Sequence, residues 1–136
     1  MPFAEFSDDM RIGHPDIDRQ HASLFETVNR LHDAMRSNHS RQVQGEILAF
    51  LHAYTIEHFE AEEALMRTNG YPELLSHKAL HDGLVQQVKE LEETYTAGSM
   101  TLSIMTMHFL KDWLTNHILE EDRKIAEYLK QKPQAE

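Results

Sequence analysis

The chain has 136 residues, ten histidines, no cysteine and a formal net charge of −10 at neutral pH. This length can bury one core, and the lack of thiols excludes disulfides, iron–sulfur clusters and cysteine-ligated zinc. The acidic balance argues against nucleic acid or an anionic membrane surface as a partner. Any bound metal must therefore be held by nitrogen and oxygen atoms.

The first helical pattern is preceded by a segment over about 1–16, which we expect to cross the molecule as an N-terminal arm. Its first ten residues have no basic flank and no apolar run, so they do not read as a secretory signal. The longest uncharged stretch, 94–110, contains glycine, serine and threonine and is not a membrane span. We therefore expect a cytoplasmic protein without membrane insertion.

Apolar residues recur at steps of three and four in four successive segments of the chain. These segments predict helices at about 18–36, 41–68, 72–97 and 101–130. Gly70 and Gly98 are typical helix stops, and Pro72 is tolerated in a first helical turn. Because the connections are short, neighbouring helices should be antiparallel. The prediction is an all-α, up-down-up-down four-helix bundle forming a single domain over 1–136.

Each predicted helix carries histidine or carboxylate groups on its inward face, at the same end of the bundle. These groups are His21 on the first helix, His58 and Glu62 on the second, His77 and His81 on the third, and His117 on the fourth. Residues four apart lie one above the other on a helix, so each such pair can reach one metal ion. After His117, this spacing favours Glu121 over the adjacent Asp122. Imidazole and carboxylate together favour iron, zinc or manganese over calcium or magnesium.

A single inward histidine is more often a hydrogen-bonded core residue than a ligand, and His21 alone would be interpreted in that way. Burying the whole set without a cation would leave several polar groups unsatisfied, each costing about 1–3 kcal/mol. A metal site is therefore the better interpretation of the set. The remaining histidines lie in loops, out of phase or at another level, and we expect none of them to bind the metal: His14, His32, His39, His52 and His108.

Four motifs in this order resemble those of the single-domain bacterial hemerythrins. They are IDRQH at 17–21, HFEAE at 58–62, HKALH at 77–81 and HILEED at 117–122, and FLKDWLTNH at 109–117 is also similar to the fourth helix of that family. The resemblance implies one iron on His77, His81 and His117, a second iron on His21 and His58, and bridging by Glu62 and Asp122. It thus selects Asp122 where the spacing favours Glu121. Phe6 stands where the family often carries tryptophan, which leaves the ligands intact.

What the resemblance implies for function is reversible dioxygen binding, for transport, storage or delivery, by a protein that is not an enzyme. The cofactor would be two iron ions (Fe2+/Fe3+) joined by an oxide or hydroxide. The ligands and this bridge leave one position open, on the iron with two histidines, where dioxygen can bind. Leu24, Phe59, Trp113 and Leu114 are expected to form the apolar oxygen pocket, and they would also serve as ordinary core.

Several alternatives on the same scaffold stay open at this point. The first is a di-iron enzyme, namely a ferroxidase, a peroxidase or a protein that handles nitric oxide. Di-iron oxygenases use more carboxylates, often in a Glu-x-x-His pattern, so this imidazole-rich set favours binding over oxidation. Oxygen sensing, iron storage and a structural zinc site are further alternatives. Delivery to an oxygen-accepting protein also stays open, and we expect the chain to be a monomer.

Overall fold

The computed structural model describes residues 3–37, 41–98 and 104–131, which are almost entirely helical and contain no strand. The elements are a 3-10 turn at Asp8–Met10, α1 at Pro15–Arg36, α2 at Arg41–Thr68, α3 at Leu74–Thr96, α4 at Ile104–Asn116, a π-helical turn at His117–Asp122 and α5 at Arg123–Gln131. The backbone stays helical through Asn116 and Arg123, so α4, the π turn and α5 form one long helix. The predicted all-α four-helix bundle is therefore confirmed.

Two helix starts differ from the sequence prediction. α1 begins at Pro15 rather than about 18, because Nδ1 of His14 accepts a hydrogen bond from the backbone N–H of Ile17, 3.3 Å away, and so caps the helix. α3 begins at Leu74 rather than about 72. Pro72 lies in the preceding turn, which the hydrogen bond from Leu74 N to Tyr71 O closes. The predicted start near 101 lies outside the described residues.

Gly70 and Gly98 adopt the left-handed backbone conformation expected of helix stops. Their φ angles are 67° and 80°, a region that side-chain-bearing residues rarely occupy. The turns at these glycines end α2 and α3. Among the described residues, no helix combines the length and the apolar character needed to cross a membrane.

The main core fills the centre of the bundle, where all four long helices contribute fully buried aliphatic side chains. Among them are Leu24, Val28, Leu31, Leu48, Leu84, Val88, Met107 and Leu110. Burial of one such side chain stabilises the fold by about 1.5–3 kcal/mol, so this cluster is a main source of the stability of the bundle. The polar cluster described below lies towards one end of the same bundle and is held by the same helices.

The N-terminal arm ends at residue 14 and is pinned to α1 at two places. Ala4 and Asn29 exchange two hydrogen bonds: Ala4 N donates to Asn29 Oδ1 at 2.7 Å, and Asn29 Nδ2 donates to Ala4 O at 2.8 Å. The buried carboxylate of Asp18 accepts hydrogen bonds from two backbone amides of the arm. This arrangement places the ring of Phe6 with its centroid 6.4 Å from that of His21. The arm therefore packs beside the polar cluster.

Candidate metal centre

The π-helical turn decides which acidic residue joins the cluster. In an α-helix, residues four apart share a face, whereas a π turn contains an extra residue and brings residues five apart into phase. The turn spans His117–Asp122, and it places Asp122 Oδ1 3.2 Å from His117 Nε2. Glu121 instead lies half-buried and forms an ion pair with Lys124. The structure therefore brings Asp122 into the cluster, and the choice of Glu121 from α-helical spacing is not supported.

One half of the cluster contains three histidines, His77, His81 and His117, which we call the three-histidine half. The Nε2 atom of His117 lies 3.1 Å from the Nε2 atoms of both His77 and His81. Glu62 Oε1 lies 3.0 Å from the Nε2 atoms of His77 and His81. Asp122 Oδ1 lies 3.0 Å from His77 Nε2. The donor atoms of these five buried residues all lie within 4.8 Å of one another.

The other half contains His21 and His58, and we call it the two-histidine half. Glu62 Oε2 lies 3.3 Å from the Nε2 atoms of both histidines. Asp122 Oδ2 lies 3.1 Å from His21 Nε2. Each carboxylate thus directs one oxygen towards each half. This is the arrangement that two carboxylates would need to bridge a pair of cations.

The donor set fits cations better than it fits hydrogen bonding alone. Both oxygens of Asp122 are completely buried, yet neither has a hydrogen bond of acceptable geometry among the described residues. Neutral imidazole carries a single N–H, so three Nε2 atoms meeting at one point cannot satisfy one another. Donors about 2.1 Å from a shared cation and at right angles would be about 3.0 Å apart. The contacts of 3.0–3.2 Å in the three-histidine half match this six-coordinate spacing.

Charges within the cluster are also arranged for a cation. Burial raises the pKa of Glu62, but hydrogen bonds from the surrounding imidazoles outweigh it and hold the pKa well below the usual range. Burial and the charge of Glu62 raise the pKa of Asp122, yet the close imidazoles of His117, His21 and His77 bring it below the ordinary value. Both carboxylates are therefore ionised at neutral pH.

Three histidines of the cluster, His21, His58 and His77, have shifted pKa values in the metal-free protein. Burial lowers the pKa of both His21 and His77, but the nearby carboxylates of Asp122 and Glu62 outweigh it and raise each pKa to about 9. Burial lowers the pKa of His58, and the carboxylates of Glu62 and Asp122 do not restore it. His21 and His77 thus hold protons that an arriving cation must displace, since only the deprotonated nitrogen binds metal.

Two hydrogen bonds on the outer side of the cluster fix the orientation of the His81 and His58 imidazoles. His81 Nδ1 donates to Glu63 Oε2 at 3.0 Å, and His58 Nδ1 donates to Gln20 Oε1 at 2.8 Å. With the proton on Nδ1, the lone pair of Nε2 points into the cluster. Neither Glu63 nor Gln20 was predicted from the sequence to take part in the cluster. They stand beside Glu62 and His21 in the chain, but nothing in their spacing shows which imidazole they contact.

Three of the predicted pocket residues, Leu24, Phe59 and Leu114, are buried, and the fourth, Trp113, is half-buried. The ring of Phe59 is stacked parallel on His81 with centroids 3.8 Å apart, and Trp113 is stacked on His117 at 4.5 Å. The two aromatic rings therefore pack on the three-histidine half. Phe59 also lies 5.6 Å from the ring of His58, so it reaches both halves.

The histidines that were expected not to bind metal have other contacts. His14 caps α1, His32 stacks on the ring of Phe3 at 4.0 Å, and His52 forms a 2.6 Å hydrogen bond with Glu92. His108 lies 5.2 Å from the ring of Phe3, and His39 is outside the described residues. Within the described part of the chain, none of these belongs to the cluster.

Comparisons with known proteins agree on one family. A family model described as a hemerythrin HHE cation binding domain matches residues 13–129. A bacteriohemerythrin of Methylococcus capsulatus is 37% identical over 106 residues, which cover 78% of this chain and 80% of that protein. One of Stenotrophomonas maltophilia is 36% identical over 131 residues, covering 96% and 84%. A crystal structure of wild-type hemerythrin superposes with a TM-score of 0.86 at 32% identity, covering 92% of this chain and 96% of that one.

Proposed function

The chain belongs to the hemerythrin family, and on this premise we propose that it binds dioxygen reversibly at a non-haem di-iron centre. His77, His81 and His117 would hold one iron, His21 and His58 the other, and Glu62 and Asp122 would bridge them. When bound, the two ferrous ions would supply the electrons that dioxygen takes up and returns. Transport, storage and delivery are uses of the same property.

The unequal division of the donors between the two halves is the observation that carries this proposal. Two octahedral ions offer about twelve positions. Five imidazole nitrogens and four carboxylate oxygens supply nine of them, and a bridging oxide or hydroxide would supply two more. The position left over falls in the two-histidine half, because the three-histidine half already has one more protein ligand. A small gas needs only one such position.

The protein surroundings favour binding over oxidation chemistry. Five of the seven ligands are imidazoles, which are neutral when bound, and only two are carboxylates. Anionic ligands would push electron density towards dioxygen and favour cleavage of its O–O bond, so their scarcity supports reversible binding. Buried Leu24, Phe59 and Leu114 exclude water beside the ligands. A dry site slows the protonation that would turn binding into irreversible oxidation.

The proposal is tested by loading the protein anaerobically with two equivalents of Fe2+ and recording its absorption spectrum before and after air. We expect a visible charge-transfer band that appears in air, disappears under argon and returns over repeated cycles. A band that cannot be reversed, or oxygen consumption that continues well beyond one equivalent per protein, would instead indicate an oxidase or ferroxidase. Cytoplasmic location and a monomeric state stay predictions, which cell fractionation and light scattering would check.

A further inference from the structure

We propose that Glu63 and Gln20 are positioning residues that make the two halves of the centre unequal in donor strength, with the three-histidine half the stronger. This inference rests on the proposed function, because it requires a cation in each half. It concerns two side chains that do not reach the cations themselves. Each accepts a hydrogen bond from Nδ1 of one imidazole, whose Nε2 faces the cluster.

Glu63 fixes His81 through a buried hydrogen bond between α2 and α3. It follows Glu62 on α2, and the helical rotation of about 100° per residue turns it from the cluster towards α3. Its Oε2 atom accepts from His81 Nδ1 at 3.0 Å, and only 9% of Glu63 is exposed. Phe59, one turn earlier, lies flat on the same imidazole. The ring of His81 is thus held at its edge by a carboxylate and on its face by an aromatic ring.

Gln20 on α1 fixes His58 on α2 in the same way, but its side chain carries no charge. Its amide oxygen accepts from His58 Nδ1 at 2.8 Å. The two hydrogen bonds select the same tautomer in His81 and His58, with Nε2 free for a cation. They differ in the acceptor, which is a carboxylate in the three-histidine half and a neutral amide in the two-histidine half.

The difference in charge has a direct chemical consequence. A hydrogen bond to a carboxylate is roughly twice as strong as one to a neutral acceptor, and it draws the Nδ1 proton further from the ring. The imidazole then carries more negative charge on Nε2 and is a stronger donor. The three-histidine half should therefore bind a divalent cation more tightly and stabilise its oxidised state more. Gln20 leaves the other half as the weaker donor, at the iron where dioxygen is proposed to exchange.

The test is anaerobic titration of the metal-free protein with Fe2+ against a competing chelator, which resolves the tighter and weaker binding steps. We expect Glu63→Gln, which keeps the shape but removes the charge, to weaken the tighter step by about 10–100-fold. Glu63→Asp, which keeps the charge, should recover part of this loss. Gln20→Glu should strengthen the weaker step and bring the two affinities closer. Glu60→Gln, at an exposed position on the same helix, is the matched control and should change neither step.

Mössbauer spectra of the 57Fe-loaded variants distinguish an electronic effect from a merely structural one. Glu63→Gln should shift the quadrupole doublet of one iron and leave the other, while the melting temperature of the metal-free protein stays close to that of Glu60→Gln. Equal affinities in Glu63→Gln and Glu60→Gln, or equal weakening of both steps with a lower melting temperature, would overturn the inference. Failure of the wild-type chain to bind two ions would instead refute the proposed centre, so the two failures are distinguishable.

Discussion

Asp122 Oδ1 lies 3.2 Å from His117 Nε2. The two residues are five apart in the chain, and on a regular α-helix their side chains would point in different directions. The π turn over His117–Asp122 absorbs the mismatch. Single π turns within longer helices are rare and occur mostly at functional sites. The distortion has a recognisable benefit here, because it directs both oxygens of Asp122 into the cluster and leaves Glu121 with Lys124.

The first prediction tests the choice between these two acidic residues. Asp122→Asn preserves the size of the side chain but removes the charge shared by the two halves, so we expect cation affinity to fall by more than about tenfold. Glu121→Gln is the matched control and should retain the wild-type metal content. Elemental analysis after dialysis measures both. Normal iron in Asp122→Asn together with depleted iron in Glu121→Gln would reverse the assignment.

The same relationship shows why the sequence predicted some features and not others. Apolar periodicity predicts the long helices, because burial of a continuous stripe dominates their energetics. His58 with Glu62 and His77 with His81 could be identified because regular α-helices place residues four apart on one face. Asp122 could not be identified by this rule, since the π turn brings residues five apart, rather than four apart, into phase. It was selected only through the family resemblance.

The hydrogen bonds that Glu63 and Gln20 accept from His81 and His58 could not be predicted for a related reason. Glu63 and Gln20 contact imidazoles on neighbouring helices, and the relative rotation of two packed helices decides which side chains meet. The start of α3 was also predicted too early. Pro72 lies within the turn that Tyr71 and Leu74 close, so the helix begins only after this turn. In both cases the deciding interaction joins residues whose contact a helical repeat does not encode.

The second prediction concerns protons released on metal binding. His21 and His77 are protonated in the metal-free protein up to a pH of about 9. The pKa of His58 is lowered, and the carboxylates of Glu62 and Asp122 are already ionised. Binding should therefore release about two protons per molecule from these histidines at pH 8, and formation of a bridging hydroxide from water would add about one more. Because both pKa values are raised, the affinity for metal should increase as the pH rises from 6.5 towards 9.

A pH-stat titration of the metal-free protein with Fe2+ under argon measures this release directly. The Asp122→Asn variant, which should bind poorly, provides the background from unspecific binding. Loading with two ions without any release of protons would mean that both histidines are neutral before the metal arrives. The pH dependence of affinity would then be flat over the same range.

The third prediction concerns the stability of the bundle in the absence of metal. Leu31 on α1 is completely buried in the main core, so Leu31→Ala should lower the free energy of unfolding by about 2–5 kcal/mol. Leu75 is 80% exposed, and Leu75→Ala should change it by no more than about 0.5 kcal/mol. Urea denaturation followed by circular dichroism measures both in the metal-free protein. A similar loss in the two variants would contradict the packing described for α1.

The last prediction concerns the exclusion of water near the ligands. Leu114 is 5% exposed and lies one turn before His117, so Leu114→Ala should open a space through which water reaches the centre. We expect the iron-loaded protein in air to lose its oxygen-dependent absorption band irreversibly several times faster than the wild type. Leu110→Ala removes an equally buried side chain one turn further from the cluster, and it is the matched control.

Because both variants create a cavity, their losses of stability should be similar, at about 2–5 kcal/mol. Equal rates of irreversible decay in the two variants would attribute the effect to general loosening of the bundle, and an unchanged rate in Leu114→Ala would remove Leu114 from the oxygen pocket.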